Sequence, residues 1–229
     1  MFSPEEFLDL DHTDHRKLFE SVPYVWDALK QVASYLQFRL KPAIEGRMIG
    51  KPFISGAVFI GRGTTVEQGA MFKGPAWIGE DCEVRNGCYI RENVVVGNGV
   101  VLGNSCEFKN CIILDEAEIP HFSYVGDSIL GYKAHLGAGV KISNIKLMPG
   151  NVTVEINAEF FDTGLRKFGA LLGDNTDIGC NSVLNPGSII GRGSLVYPNT
   201  NWRGVLSPNM IVKNKAPQEI IVRRLQEAK

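Results

Sequence analysis

Counting in sixes from Met48 lands on Ile54, Ile60, Val66, Phe72, Ile78, Val84, Ile90, Val96, Leu102, Phe108 and Leu114, an apolar residue at every step. A fixed period takes precedence over the reading of single elements, because each repeat is a unit that cannot bury its own apolar face. An amphipathic helix needs spacings of three and four, and a half-buried strand needs alternation, so a period of six fits neither. It describes a chain that makes a short strand and then a corner. Glycine follows the aliphatic residue in IGRGTTV, IGEDCEV, VGNGVVL and LGNSCEF, where the missing Cβ relieves crowding or permits the backbone angles of a corner. Three such sides close a coil of roughly 18 residues, and stacked coils bury a common core. The expected fold is an all-β solenoid, a parallel β-helix with its apolar side chains inside a prism.

The rhythm slips in EIPHFSYVGDS, residues 118–128, and resumes in a new phase with Tyr124, Leu130, Leu136 and Ile142. Leu172, Ile178, Leu184, Ile190, Val196 and Trp202 carry it onward. A solenoid exposes strand edges and core at both ends and so needs caps. At the front, SPEEF places Ser3 at an N-cap, Pro4 at the first helical position and Glu6 where a capping box takes a carboxylate. A second helix is expected from Pro23 to Leu40, where Val25, Trp26, Leu29, Val32, Ala33, Leu36 and Leu40 follow helical spacing until Pro42. At the rear, APQEIIVRRLQEAK is expected to form a short helix after Pro217. Between Leu147 and Lys167, the turn signal MPGN and the alternation of Val152, Val154 and Ile156 predict a hairpin, either overhanging a site or packing between subunits. The expected divisions are a helical cap over 1–47, the coils over 48–205 with the hairpin at about 145–165, and a tail over 206–229.

Composition narrows the function. The 229 residues carry a formal net charge of −1 with acids and bases interleaved, so no nucleic-acid tract or polybasic membrane anchor stands out. No apolar run approaches the roughly 20 residues of a bilayer span. The five cysteines (Cys82, Cys88, Cys106, Cys111, Cys180) have no CxxC spacing, and the N-terminus shows no basic-then-apolar signal pattern. Reduced thiols and a cytoplasmic protein are expected. The four histidines (His12, His15, His121, His135) are scattered, with no cysteine pair beside them, so no structural zinc site is expected.

His121 lies at the slip. An imidazole titrating near neutrality can take a proton from an attacking amine, the role of a general base in acyl transfer. Its neighbours add a resemblance over roughly Arg91 to Pro198. The pattern of an aliphatic residue, glycine and four variable residues resembles the hexapeptide-repeat acyltransferases, which implies a left-handed parallel β-helix. HFSYVGDSILG is similar to the HLxYLGDAxIG motif of the acetyltransferase domain of bifunctional glucosamine-1-phosphate acetyltransferase/N-acetylglucosamine-1-phosphate uridyltransferases and of related archaeal sugar-1-phosphate nucleotidylyltransferases.

That resemblance implies His121 as the base and Tyr124 as a substrate-binding tyrosine. Arg91 in YIREN falls on the family's phosphate-binding arginine, Lys109 in CEFKN on a lysine beside the substrate, and Lys167 in LRKFGALLGD on another. A guanidinium fork and ammonium groups suit a sugar phosphate dianion. HLGAGVKISN is similar to NIGAGTITCNY, which puts Ala138 and Asn144 at acetyl-coenzyme A contacts, with Cys180 and Pro198 along the pantetheine groove. Cys180 is expected to be a buried or groove-lining thiol rather than a nucleophile. His135 replaces the family's substrate-binding asparagine and Ile145 a tyrosine, so the amino sugar is open.

The implied reaction is acetyl transfer from acetyl-CoA to the amine of an amino-sugar 1-phosphate, with no metal required, by a homotrimer with sites between neighbouring prisms. The first 47 residues contain no glycine-rich nucleotide loop, so uridylyl transfer is not expected of this chain. A nucleotide-linked amino sugar as acceptor remains open, as do a lipid A-type acyltransferase, a zinc carbonic anhydrase of this fold and a catalytically silent sugar-phosphate scaffold.

Overall fold

The computed structural model describes residues 2–156, 159–214 and 218–222. Within them the chain winds through nine coils, and corresponding sides stack into two nine-stranded sheets and one eight-stranded sheet, the three faces of a prism. Val94–Val96, Val101–Asn104 and Glu107–Lys109 are the first, second and third sides of one coil. Every strand pairing between coils is parallel, and the only antiparallel pair among the described residues is the inserted hairpin. The coils run from Ala43 to Val212, beyond the expected bounds of 48 and 205 at both ends. Of the expected C-terminal helix, residues 218–222 carry no helix and 223–229 lie outside the described residues.

The core is a ladder of like side chains. Ile54, Phe72, Ile90, Phe108, Val125, Ile142, Leu184 and Trp202 succeed one another down the inside of the third face. Each fully buried aliphatic or aromatic side chain contributes about 1.5–3 kcal/mol relative to exposure. Two members of the expected ladder are corrected. Ile113, not Leu114, points into the prism, and Val125, not Tyr124, follows it on the third face. The reason is a shortened corner: Ile90 to Val94 takes four steps, whereas Phe108 to Cys111 takes three. The coils that start at Val94 and Cys111 therefore register 17 residues apart, against 18 for the preceding pair. The slip precedes His121 rather than coinciding with it.

The N-terminal segment covers a flank, not the open end. On the first face the outward residues Val95, Ile112, Ile129, Leu171 and Ile189 form a second apolar column, in register from coil to coil. A sheet that is apolar on both sides needs cover on both. It receives a 3₁₀ turn, Val25–Asp27, and the helix Ala28–Arg39, whose Trp26, Leu29, Val32 and Leu36 are buried against that column. At the front end, Ile44, Ile49 and Phe53 remain exposed. The hairpin, Thr153–Ile156 with Glu159–Asp162, joins the same flank: Phe161 meets the Phe2 ring edge-on at 5.7 Å, and Val152 and Val154 are buried. Asp174 pins the arrangement, accepting from the main chains of Asp9 (2.6 Å) and Tyr132 (2.8 Å) and pairing with Arg192 (2.6 Å).

His15 is sealed under this cover, with Nδ1 2.8 Å from the Tyr35 hydroxyl and its ring edge-on to Trp77. Burial, with the nearby Arg39 charge, lowers its pKa from 6.5 to about 4. The folded state thus holds His15 neutral where the unfolded chain would protonate it, so its stabilisation is complete above pH 6.5 and is lost as pH falls toward 4. From pH 7 to pH 5 this loss amounts to about 2 kcal/mol. His15→Gln should flatten the pH dependence of the unfolding free energy by about that much; an unchanged slope in denaturant titrations would refute the assignment. The flank itself is tested by Ile112→Ala, expected to cost about 2–5 kcal/mol despite facing away from the prism core, whereas Thr65→Ala on an uncovered face should cost under about 0.5 kcal/mol.

Candidate active site

His121 ends the strand Glu118–His121 at the vertex between the second and third faces. Its backbone is held from three directions. The strand pairs with Val101–Asn104, Asn104 standing opposite His121; the Gly139 N–H donates to the His121 carbonyl at 3.0 Å; and the Ser123 hydroxyl donates to the same oxygen at 3.0 Å. The strand is this close to its neighbour because residue 103 is glycine: a Cβ there would lie 1.8 Å from the Pro120 carbonyl oxygen. The imidazole is exposed and makes no side-chain hydrogen bond among the described residues; its neighbour is the Phe122 ring, 6.0 Å between centroids.

Strand register carries the vertex onward. Glu118 pairs with His135, His135 with Asp177 and Asp177 with Leu195. Three residues further along each strand, His121, Ala138, Cys180 and Pro198 therefore occupy one column along the vertex. At about 4.8 Å per coil the column spans roughly 14 Å. Hydrogen bonds follow the same order, Asn181 N–H to the Ala138 carbonyl and Asn199 N–H to the Cys180 carbonyl, both 2.9 Å. Around Ala138, the Gly137 amide donates to Ile178 and the Gly139 amide to His121, while the Ala138 amide between them has no acceptor among the described residues. Cys180 is the one exposed thiol of the five.

The third face holds the residues expected to bind substrate. Glu107 and Tyr124 face outward in register on neighbouring coils, and Lys109 pairs with Gly126. Arg91 lies one coil earlier, its Nη1 2.8 Å from Glu107 Oε1 and its Nε 3.7 Å from Glu92. The Glu107 carboxylate raises the Arg91 pKa. Lys109 makes no hydrogen bond or ion pair among the described residues. Tyr124 lies back over Gly126, where a Cβ would come 2.5 Å from the phenol oxygen. Burial raises the pKa of that hydroxyl. Asn144 donates Nδ2 to the Tyr124 hydroxyl (3.2 Å) and to the buried Asp127 carboxylate (2.5 Å). Lys167 is exposed where the insertion rejoins the coils, next to Phe168, whose amide donates to the Asn144 carbonyl at 3.0 Å.

Arg91, Lys109, Tyr124, Asn144 and Lys167 thus belong to the third face and its far corner, while His121, Ala138, Cys180 and Pro198 line the vertex. Asn144, expected along the cofactor, stands with Tyr124. His135 is on the second face, 2.9 Å from Asp177, lining a cavity of about 380 Å³ with Glu116, Glu118 and Lys133. Ile145 is exposed where the insertion leaves the coils. Three residues were not singled out from the sequence. Glu107 and Asp127 become visible only through their partners. Phe122 has a signal in the repeat: its φ of +51° occupies a corner position filled by Ser105 one coil earlier and Gly139 one coil later, and a bulky side chain seldom adopts that conformation. Among the described residues no group of three His, Cys, Asp or Glu could hold a metal, and no helix is long and apolar enough to cross a membrane.

The family described as the GMPPB C-terminal domain matches residues 72–161. The chain is 36% identical over 94 residues to the bifunctional sugar-1-phosphate nucleotidylyltransferase/acetyltransferase of Sulfurisphaera tokodaii, a match covering 41% of this chain and 23% of that protein. It is 32% identical over 198 residues to the bifunctional protein GlmU of Methanococcus aeolicus, covering 86% and 47%. Over 163 residues it is 34% identical to the uncharacterized acetyltransferase YaiX of Escherichia coli O6:K15:H31, covering 71% and 66%. The chain spans less than half the length of the first two. Among solved structures, a point mutant of AntD, an N-acyltransferase from Bacillus cereus in complex with dTDP and Coenzyme A, is similar at a TM-score of 0.40 and 16% identity, covering 66% of this chain and 76% of that one.

Proposed function

We propose that the chain is a hexapeptide-repeat acyltransferase that transfers an acetyl group from acetyl-CoA to the amine of an amino-sugar 1-phosphate, with His121 as general base. The observation that carries this reading is the column at the vertex: His121, Ala138, Cys180 and Pro198 succeed one another coil by coil, with Arg91, Lys109 and Tyr124 on the adjoining face. A thioester donor laid along the column would bring its acyl carbon beside the imidazole, while the sugar phosphate would sit over the cationic third face.

In this mechanism the neutral amine attacks the thioester carbonyl, forming the C–N bond. His121 takes the proton from the nitrogen as that bond forms, and the C–S bond then breaks, with the proton passing to the departing thiolate. The unengaged Ala138 amide is the donor best placed to stabilise the oxyanion, since the amides on either side already have acceptors. Arg91 reaches the phosphate in competition with Glu107, so Lys109 and Lys167 supply the cations without a carboxylate partner. Cys180 lines the groove. A homotrimer would set each vertex against a neighbouring prism, closing the site. A nucleotide-linked amino sugar is the second reading, since His135, standing where the resemblance implies a substrate-binding asparagine, is tied to Asp177 and leaves the acceptor open.

Thiol release from acetyl-CoA with glucosamine 1-phosphate, galactosamine 1-phosphate and UDP-linked amino sugars tests the reading. His121→Ala should lower turnover by about 10²–10⁴ with an unchanged melting temperature, because the side chain is exposed. Full activity in that variant would remove the mechanism. Lys109→Ala should raise KM for a sugar 1-phosphate on the order of tenfold and leave KM for acetyl-CoA unchanged; equal effects on both would place Lys109 outside the phosphate site.

A further inference from the structure

The corner between the third and first faces raises a question that backbone geometry does not answer. Asn93, Asn110 and Asp127 occupy corresponding corner positions with φ of +58°, +45° and +49°. Asparagine adopts this left-handed conformation readily and does so twice here, so the turn at 127 does not call for aspartate. Burial argues against it: Asp127 is 5% exposed, and a buried carboxylate requires compensation.

The compensation is specific. One carboxylate oxygen accepts from Asn110 Nδ2 at 2.8 Å and the other from Asn144 Nδ2 at 2.5 Å. An ionised carboxylate only accepts, so it forces both asparagines to turn their NH₂ groups toward it. Asparagine at 127 would turn its own NH₂ toward one of those donors. With Asn144 so oriented, its amide also donates to the Tyr124 hydroxyl at 3.2 Å. The Tyr124 oxygen is thereby used as an acceptor on the inner side, and its O–H is left to point away from Asn144, toward the outer surface of the third face.

We propose that Asp127 is a positioning residue that fixes the Asn144 amide and, through it, commits the Tyr124 hydroxyl to donate to an acceptor oxygen of the bound sugar. The inference rests on the acyl-transfer reading for its functional consequence, but the orientation itself belongs to the free protein. Asp127 touches no substrate. It acts through two hydrogen bonds, and it makes the tyrosine select ligands with an oxygen lone pair at that point, since a site that presents a committed donor discriminates against ligands that leave it unpaired.

The decisive variant is Asp127→Asn, which keeps size and backbone preference. KM for the amino sugar is expected to rise on the order of tenfold, with kcat and KM for acetyl-CoA changed less than threefold. In a Tyr124→Phe background the same substitution should change KM less than twofold, because the hydroxyl it orients is gone. An unchanged KM in the single variant, or an equal rise in both backgrounds, overturns the proposal. Should Asp127→Asn fail to fold, Asn144→Ala must reproduce the same KM rise and the same loss of effect in the Tyr124→Phe background. Independently of turnover, the Asn144 side-chain amide in a ¹⁵N spectrum should be slow to exchange in the wild type and fast in Asp127→Asn. A fast wild-type amide refutes the lock. If the wild type releases no thiol with any acceptor, the acyl-transfer reading fails while this signal still decides the orientation.

Discussion

Everything in this molecule depends on apolar side chains standing directly above one another inside a triangular prism. A coil has no core of its own; Phe108 is buried because Ile90 and Val125 lie on either side of it. The arrangement is quasi-one-dimensional, with each coil stabilised through its neighbours. It is strict about phase, since one residue gained or lost at a corner changes which side chain points inward. It is permissive about what the outward positions carry, and that freedom is where a site can be built.

The same logic explains what was legible in the sequence. Period and class were plain because the inward positions are nearly all aliphatic or aromatic and recur every six residues. The N-terminal segment lies along a flank and not over the expected end, and the signal for that placement is in the sequence. VVV, CII, ALL and SII are apolar on both sides of the pleat, whereas most strands of the other two faces are apolar on one. A doubly apolar face cannot be left in water, so the helix Ala28–Arg39 lies along it. The ladder errors at Leu114 and Tyr124 have a different cause. Both are apolar enough to satisfy a count in sixes, and only the strand register distinguishes them from Ile113 and Val125.

The candidate site was partly legible. Motif spacing singled out His121, Ala138, Cys180 and Pro198 separately; their common column follows from strand register, which converts separations of 17, 42 and 18 residues into single steps along one vertex. The 42-residue step is one coil plus the insertion, and no periodicity shows that it returns in register. Glu107 was not legible because its role is defined by a partner, Arg91, on another coil. The His135–Asp177 pair was hidden for the same reason, as its members are 42 residues apart.

The two shortened corners tie these points together. From Phe108 to Cys111 and from Val125 to Ser128 the chain takes three steps where the preceding coil takes four, while the corner bearing His121 keeps its full spacing from Ile119 to Val125. The vertex stays regular, so that His121, Ala138, Cys180 and Pro198 keep to one column. The opposite corner contracts, and in doing so moves the left-handed residue one place closer to the third face: two residues after Phe108 and Val125, against three after Ile90. That shift places Asp127 between Asn110 and Asn144, on three successive coils, close enough to hydrogen-bond to both. A corner of full length would carry its turn residue further from the face, as at Asn93. The slip in the repeat is therefore best understood as the device that brings a buried carboxylate to the edge of the face that carries Tyr124, one coil-width from the histidine vertex that the regular repeat maintains.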